Sequence, residues 1–327
     1  MTRELESSAR PNVFAPDARY YALSAYMRRE FGGVVRKISV DAHFSCPNID
    51  GSVGRGGCIF CDAASFSPSR QIGLREISDQ IEDGVTRLKR RFDASKFIAY
   101  FQPSTNTHAP VDVLERVYRS ALRRPEIVGI AIGTRPDACS EPVLALLETL
   151  ARETWLALEL GVQSSHDRTL QWLNRGHDYR SFVDATRRAR ARGLRVGAHV
   201  ILGLPCESRA DVATTARRLA TLGLHSIKLH HLYVVKGTRL ERLWRDGAVP
   251  LPTLDEYAEL VVDFLERLSP STVVERVAGE VGSDYLVAPS WTAIKHAGRN
   301  AVERALRARD SYQGKYFDPS VQDPFVE

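Results

Sequence analysis

An alternating α/β fold is what this sequence predicts: one parallel sheet curled into a partial (β/α)6, TIM-like barrel, between a short N-terminal helix and a C-terminal α+β extension. Three observations carry that expectation. Six largely apolar, strand-like runs alternate with segments of helical periodicity, the pattern of parallel strands joined by crossover helices. Each run ends in a polar segment bearing Gly or Pro, where barrels of this kind place their active-site loops. The length of 327 residues, 43% hydrophobic and 26% charged, suffices for one large domain or two smaller ones.

Residues 1–16 are polar, contain two prolines and read as a frayed tail. Tyr20, Leu23, Tyr26, Met27 and Phe31 recur at helical spacing, and Gly32-Gly33 stops that helix, so 1–33 is a tail plus a lead-in helix. The barrel is expected over 34–245. Its strands fall at 34–42, 96–101, 127–132, 155–160, 195–202 and 226–235, with helices at 77–91, 111–122, 142–152, 167–174, 179–192 and 209–222 between them. From 246 to 327 the rhythm breaks. A helix at 255–268, a strand at 272–277 and a basic helix at 291–309 form an extension that offers a substrate-binding surface.

Composition narrows the function classes. No run of about 18 uncharged apolar residues is present and the N-terminus is polar, so a membrane span and a secretory signal are not expected and the cytoplasm is the default location. Five cysteines, three of them crowded in one loop, argue for metal or redox use rather than a disulfide framework. A net charge of +5 and a pI near 9.0 are compatible with a polyanionic partner, and a bias of 38 Arg over seven Lys equally reflects base composition.

The first strand run delivers the loop from Cys46 to Cys61, with thiols at Cys46, Cys58 and Cys61. Three thiolates can hold three irons of a [4Fe–4S] cluster and leave the fourth open. The same spacing fits a structural zinc site completed by His43 or a distant ligand. Glu159 ends an apolar strand, where an unpaired carboxylate is costly, so it pairs with an arginine or touches a ligand.

Read together, the segments Cys46–Cys61, Gly133–Asp137, Glu159–Ser164 and Asn174–His177, at successive strand ends, resemble the radical S-adenosylmethionine (SAM) superfamily. Within it they are similar to the uncharacterised YhcC/YtqA-type branch, which is related to the catalytic subunit 3 of elongator. The resemblance implies a partial barrel of the radical SAM type, with a [4Fe–4S] cluster on Cys46, Cys58 and Cys61 and SAM chelated to its open iron. A reduced cluster then cleaves SAM to a 5′-deoxyadenosyl radical that takes a hydrogen from the substrate. Phe60 matches the family's adenine-side aromatic, and Gln102 and Ser104 stand where a Gly-Gly-Glu segment usually holds the amino group. Gln163 and Arg175 resemble SAM contacts of oxygen-independent coproporphyrinogen oxidases, and the Arg fork suits a carboxylate. His199 matches a ribose contact, and Ile201 and Gly203 the adenine-side motif.

Arg135 and Lys236 are expected to bind an anionic part of the substrate, and Tyr233 to pass a hydrogen atom. Because elongator's enzyme acts on wobble uridine, the resemblance implies tRNA as substrate and a reductant such as flavodoxin or ferredoxin as electron donor. Two other functions fit the residues: radical chemistry on a small metabolite, and a non-catalytic, metal-stabilised RNA-binding protein.

Overall fold

A computed structural model of the chain describes residues 13–67, 70 and 73–325, so the expected tail falls, through residue 12, outside the described residues. Helix α1 (Leu23–Phe31) ends at Gly32, whose φ of 70° is the left-handed turn foreseen there. It starts later than its periodicity suggested because Ala22 lies extended beside Val274 in a parallel bridge.

Strands β1 (Val35–Val40), β2 (Lys96–Phe101), β3 (Ile127–Thr134), β4 (Trp155–Gln163), β5 (Arg195–Leu202) and β6 (Ser226–His231) follow one another in one parallel sheet. After β1 come the short helices α2 (Pro47–Asp50) and α3 (Ala63–Phe66). The crossover helices are α4 (Ile77–Arg91), α5 (Val111–Ala121), α6 (Glu141–Glu153), α7 (Asp167–Trp172), α8 (Tyr179–Ala191) and α9 (Arg209–Thr221). A capping box, Ser208 with Asp211, fixes the start of α9.

Three departures from expectation have local causes. The sixth strand stops at His231 because its neighbour β5 offers no partner beyond Leu202, and the residues that follow form a separate strand β7 (Val234–Val235). After α10 (Arg239–Arg245) and α11 (Leu254–Leu265), strand β8 (Val273–Arg276) joins the edge of the main sheet parallel to β6, making seven strands rather than six. Strand β9 (Leu286–Ala288) pairs antiparallel with β7. The expected helix over 291–309 is a 3-10 turn, Ser290–Ala293, and then α12 (Ala297–Ala308), because His296 at φ 63° interrupts the right-handed path.

The alternation of side chains along each strand sorts the barrel into layers. Outward residues such as Phe97, Phe101, Leu158 and Leu229 build the main core against the helices. Inward, Ile98, Ala131, Trp155, Ala157 and Val273 form an apolar floor with Tyr26 and Met27 of α1. Higher in the lumen the inward residues turn polar: Lys37 on β1, Tyr100 on β2, Glu159 on β4, His199 on β5, Lys228 on β6 and Glu275 on β8.

Candidate active site

The cysteine loop is held by its own backbone and by one distant segment. Cys46 precedes α2, whose Pro47 carbonyl accepts from the amides of Val53 and Gly54 at 2.8 and 3.1 Å, while Gly57 N–H donates to Asn48 O. A methyl group at Gly54 would lie 2.5 Å from Asn48 Oδ1, so the loop closes only over a glycine. Asn174 donates from Nδ2 to Gly57 O at 2.7 Å, and Asn48 returns a bond to Asn174 O at 2.6 Å. Ile59 N–H bonds Leu173 O and Ile59 O accepts from Leu240. The segment 173–177 is thus a brace for the loop.

Cys58 is buried, Cys46 half-buried and Cys61 open to solvent. Although the residue is open to solvent, protein crowds its thiol, and that desolvation, with the neighbouring thiols Cys58 and Cys46, pushes it up to about 12. Among the described residues no three His, Cys, Asp or Glu side chains gather closely enough to hold a metal ion. His43 lies beside Asp41 rather than completing a tetrahedron.

Two arginines stand against those thiols. Arg175 donates from Nη1 to Cys58 Sγ at 3.1 Å and from Nη2 to Gly161 O at 2.7 Å and His177 Nε2 at 3.0 Å. Arg135, close to Cys46 and Cys58, forks onto Asp137 at 2.9 and 2.7 Å. Arg175 Nε and Arg135 Nη1 are buried without a hydrogen-bond partner. Buried, unsatisfied guanidinium donors beside three thiols fit an anionic, multi-atom occupant.

Gln163 and Arg175 lie close together: a methyl group at Gly161 would sit 2.8 Å from Gln163 Nε2 and 3.3 Å from Arg175 Nη2. Gln163 has φ 68°, a conformation that a non-glycine residue keeps only when its surroundings demand it. Phe60 and Ile201 meet in one apolar cluster with Ile59, Leu173 and Leu204. Gly203 turns at φ 80°, where Pro252 leaves no room for a side chain. Gln102 follows β2, and Ser104, at φ 64°, accepts from Arg70 Nη2 at 3.0 Å.

Glu159 is nearly inaccessible, and its cationic partners are lysines rather than the expected arginine: it is bonded by Lys37 at 2.6 Å, by Lys228 and by His199 Nε2 at 2.7 Å. Burial alone would raise its carboxyl, but the ammonium groups of Lys228 and Lys37 outweigh that and hold it well below the usual carboxylate range. Burial, reinforced by Lys228, pushes His199 down, so it is neutral at pH 7. Tyr233 lies half-buried near Cys61. Lys236 is exposed beyond β7, donating to Asp284 O at 2.6 Å, and is not brought into the lumen.

Sequence reasoning passed over Asn48, Lys37 and Glu275. A lysine inside the run Val35–Val40 was the available signal, since a charge on an inward strand position needs a partner.

A parallel half-barrel with three thiols and two arginines at the C-terminal ends of its strands defines the radical SAM class of enzyme, and this chain belongs to the radical SAM superfamily: residues 51–219 match that superfamily and residues 224–308 its C-terminal domain. It falls in the branch of YhcC and YtqA. It is 38% identical over 301 residues to the uncharacterized protein YtqA of Bacillus subtilis, covering 92% of this chain and 94% of that one. Human elongator complex protein 3 is 28% identical over 188 residues, 57% of this chain and 34% of its own. The structure of an archaeal Methanocaldococcus infernus Elp3 shares the fold at a TM-score of 0.64 and 17% identity, covering 85% of this chain and 64% of that one. Enzymes of the superfamily typically use a [4Fe–4S] cluster and SAM. No helix among the described residues is long and apolar enough to cross a membrane.

Proposed function

We propose that the chain modifies tRNA, at a wobble uridine, by radical SAM chemistry, with the cluster on Cys46, Cys58 and Cys61. The observation that carries the cofactor assignment is the pair of arginines with unsatisfied donors against the three thiols. Arg175 and Gln163 would hold the polar end of SAM, and Phe60 and Ile201 would cover its adenine. His199, positioned by Glu159, would accept or donate at the ribose. Bound there, the two cofactors would supply one-electron cleavage of a C–S bond and a radical that removes a substrate hydrogen. The protein's own task is to orient both and to keep water from the lumen. Relation to elongator complex protein 3 over 188 residues supports the choice of tRNA, and a small acidic redox protein such as flavodoxin or ferredoxin would deliver the electron.

Anaerobic reconstitution with iron and sulfide, followed by dithionite and SAM, tests the chemistry. The expected result is 5′-deoxyadenosine, absent from the Cys58→Ala variant; a colourless protein carrying zinc would overturn it. Nucleosides of tRNA from a deletion strain test the substrate, and an unchanged profile would remove tRNA in favour of a small metabolite.

A further inference from the structure

Among the described residues, the lysines and arginines around the lumen each have a bonded partner, Arg276 excepted. Lys37 and Lys228 are answered by Glu159 and Glu275. Arg135 is answered by Asp137, and Arg175 is bonded to Cys58, Gly161 and His177. Arg276, at the end of β8, is half-buried and forms no hydrogen bond or ion pair among the described residues. Its register partner across the sheet is Lys228, which points inward; the register slips by one residue just before that pair, so Arg276 follows Glu275 onto the lumen wall while Val274 and Val277 face the outer core. Its neighbour Glu275 is engaged by Lys37 and by Ser226 Oγ at 2.7 Å.

The groups that feel the charge of Arg276 are neutral. They are His230 and His231 of β6, Tyr233 just beyond it and Tyr257 of α11. Gly279 draws this wall together: a methyl group there would lie 3.0 Å from Tyr233 Cε1 and 3.3 Å from His230 Nδ1. Tyr233 also senses Cys61, so Arg276 and the thiols flank it. A partly desolvated guanidinium with five donors and no anion is costly to keep unless something else satisfies it.

We propose that Arg276, framed by His230 and Tyr233, binds an oxyanion of the substrate, a carboxylate or a phosphate, and so fixes which atom is presented to the radical. The planar fork of arginine matches either group through two parallel bonds. The proposal rests on the lumen being the substrate chamber, as read above, but not on the substrate being tRNA. It also places recognition on β8, apart from the SAM-binding positions on β4 and β5.

Phenylglyoxal modification of the reconstituted protein, mapped by peptide mass, tests it at a single residue. Arg276 should be labelled faster than the hydrogen-bonded Arg135 and Arg175. Phosphate or uridine 5′-monophosphate should slow its labelling several-fold if the group is a phosphate, and acetate or malonate if it is a carboxylate. No protection by any of these, or protection by SAM alone, would overturn the assignment. A second arm returns Arg276→Gln and Arg276→Lys to the deletion strain, with iron content and thermal melting as checks of folding. The Gln variant should fail to restore the tRNA nucleoside profile and the Lys variant should restore part of it; full restoration by Gln would also overturn the proposal. If deletion leaves that profile unchanged, it is the tRNA reading that fails, and the labelling still decides for Arg276.

Discussion

Arg175 shows how much one side chain can organise. Its guanidinium joins the cysteine loop to the end of β4, through Cys58 on one side and Gly161 on the other. His177 completes the fork: burial, and then Arg175 itself, lower the imidazole to about 3, so it is neutral and its Nε2 accepts while Nδ1 faces Asp178 O. A lysine keeps the charge but cannot span three acceptors from one plane. Arg175→Lys should therefore weaken SAM binding about tenfold, roughly 1.4 kcal/mol, measured by anaerobic titration calorimetry on the reconstituted protein. Unchanged affinity would reduce Arg175 to a brace for the cysteine loop.

At the scale of elements, the open edges of the half-barrel are β1 and β8, and Lys37 ties them across the lumen through Glu275 at 2.5 Å while also holding Glu159. Removing one cation from a buried ion cluster leaves carboxylates uncompensated, at a cost of about 3–5 kcal/mol. Lys37→Met should lose that much in urea unfolding, and adding Glu275→Gln should recover part of it; strict additivity of the two losses would show that Lys37 and Glu275 do not act together. This cluster also marks the limit of what the sequence makes legible. Strands such as Lys96–Phe101 and the helix Ile77–Arg91 stand out because their periodicity is local. So do Cys46, Cys58, Cys61, Gln163 and Arg175, whose spacings lie within short segments. Strand Val273–Arg276 reads as part of a separate extension because the strand–helix rhythm breaks before it, and what accommodates Glu275 is a lysine 238 positions away. Pairings of that span exist only once the sheet has curled. The break at His296 has no signal in helical periodicity, since the left-handed residue follows from how the 3-10 turn meets α12.

Over the whole molecule, the lumen climbs from an apolar floor through an ionic layer to a reactive mouth, and neutral histidines, half-buried or buried, lie all along it. His225 lies at the floor against Tyr26 and Trp155, His199 and His230 face each other higher up, and His231 packs outward on Trp291 and Tyr257. Burial lowers all four: His225 to about 4 with help from Arg195 and Lys37 against Glu275, and His231 to about 3 with help from Arg276. His230 falls well below its ordinary value under burial, Arg276, His199, Lys228 and His231, and His199 falls under burial and Lys228 despite Glu159 and Glu275. Unfolding returns each to about 6.5, so below that pH the unfolded chain binds protons that the folded chain does not. Stability must then decrease as pH falls, each histidine adding a slope of up to about 1.4 kcal/mol per pH unit until its folded value is reached. Glu159 and Glu275, both held below the carboxylate range against burial by Lys228 and Lys37, extend the loss below about pH 4.3. Urea midpoints taken from about pH 7.5 down to about pH 5 should fall steeply, and His225→Gln should flatten the slope by one histidine's share. A midpoint constant across that range would mean that the four imidazoles accept protons in place, and that the ionic layer rearranges to let them.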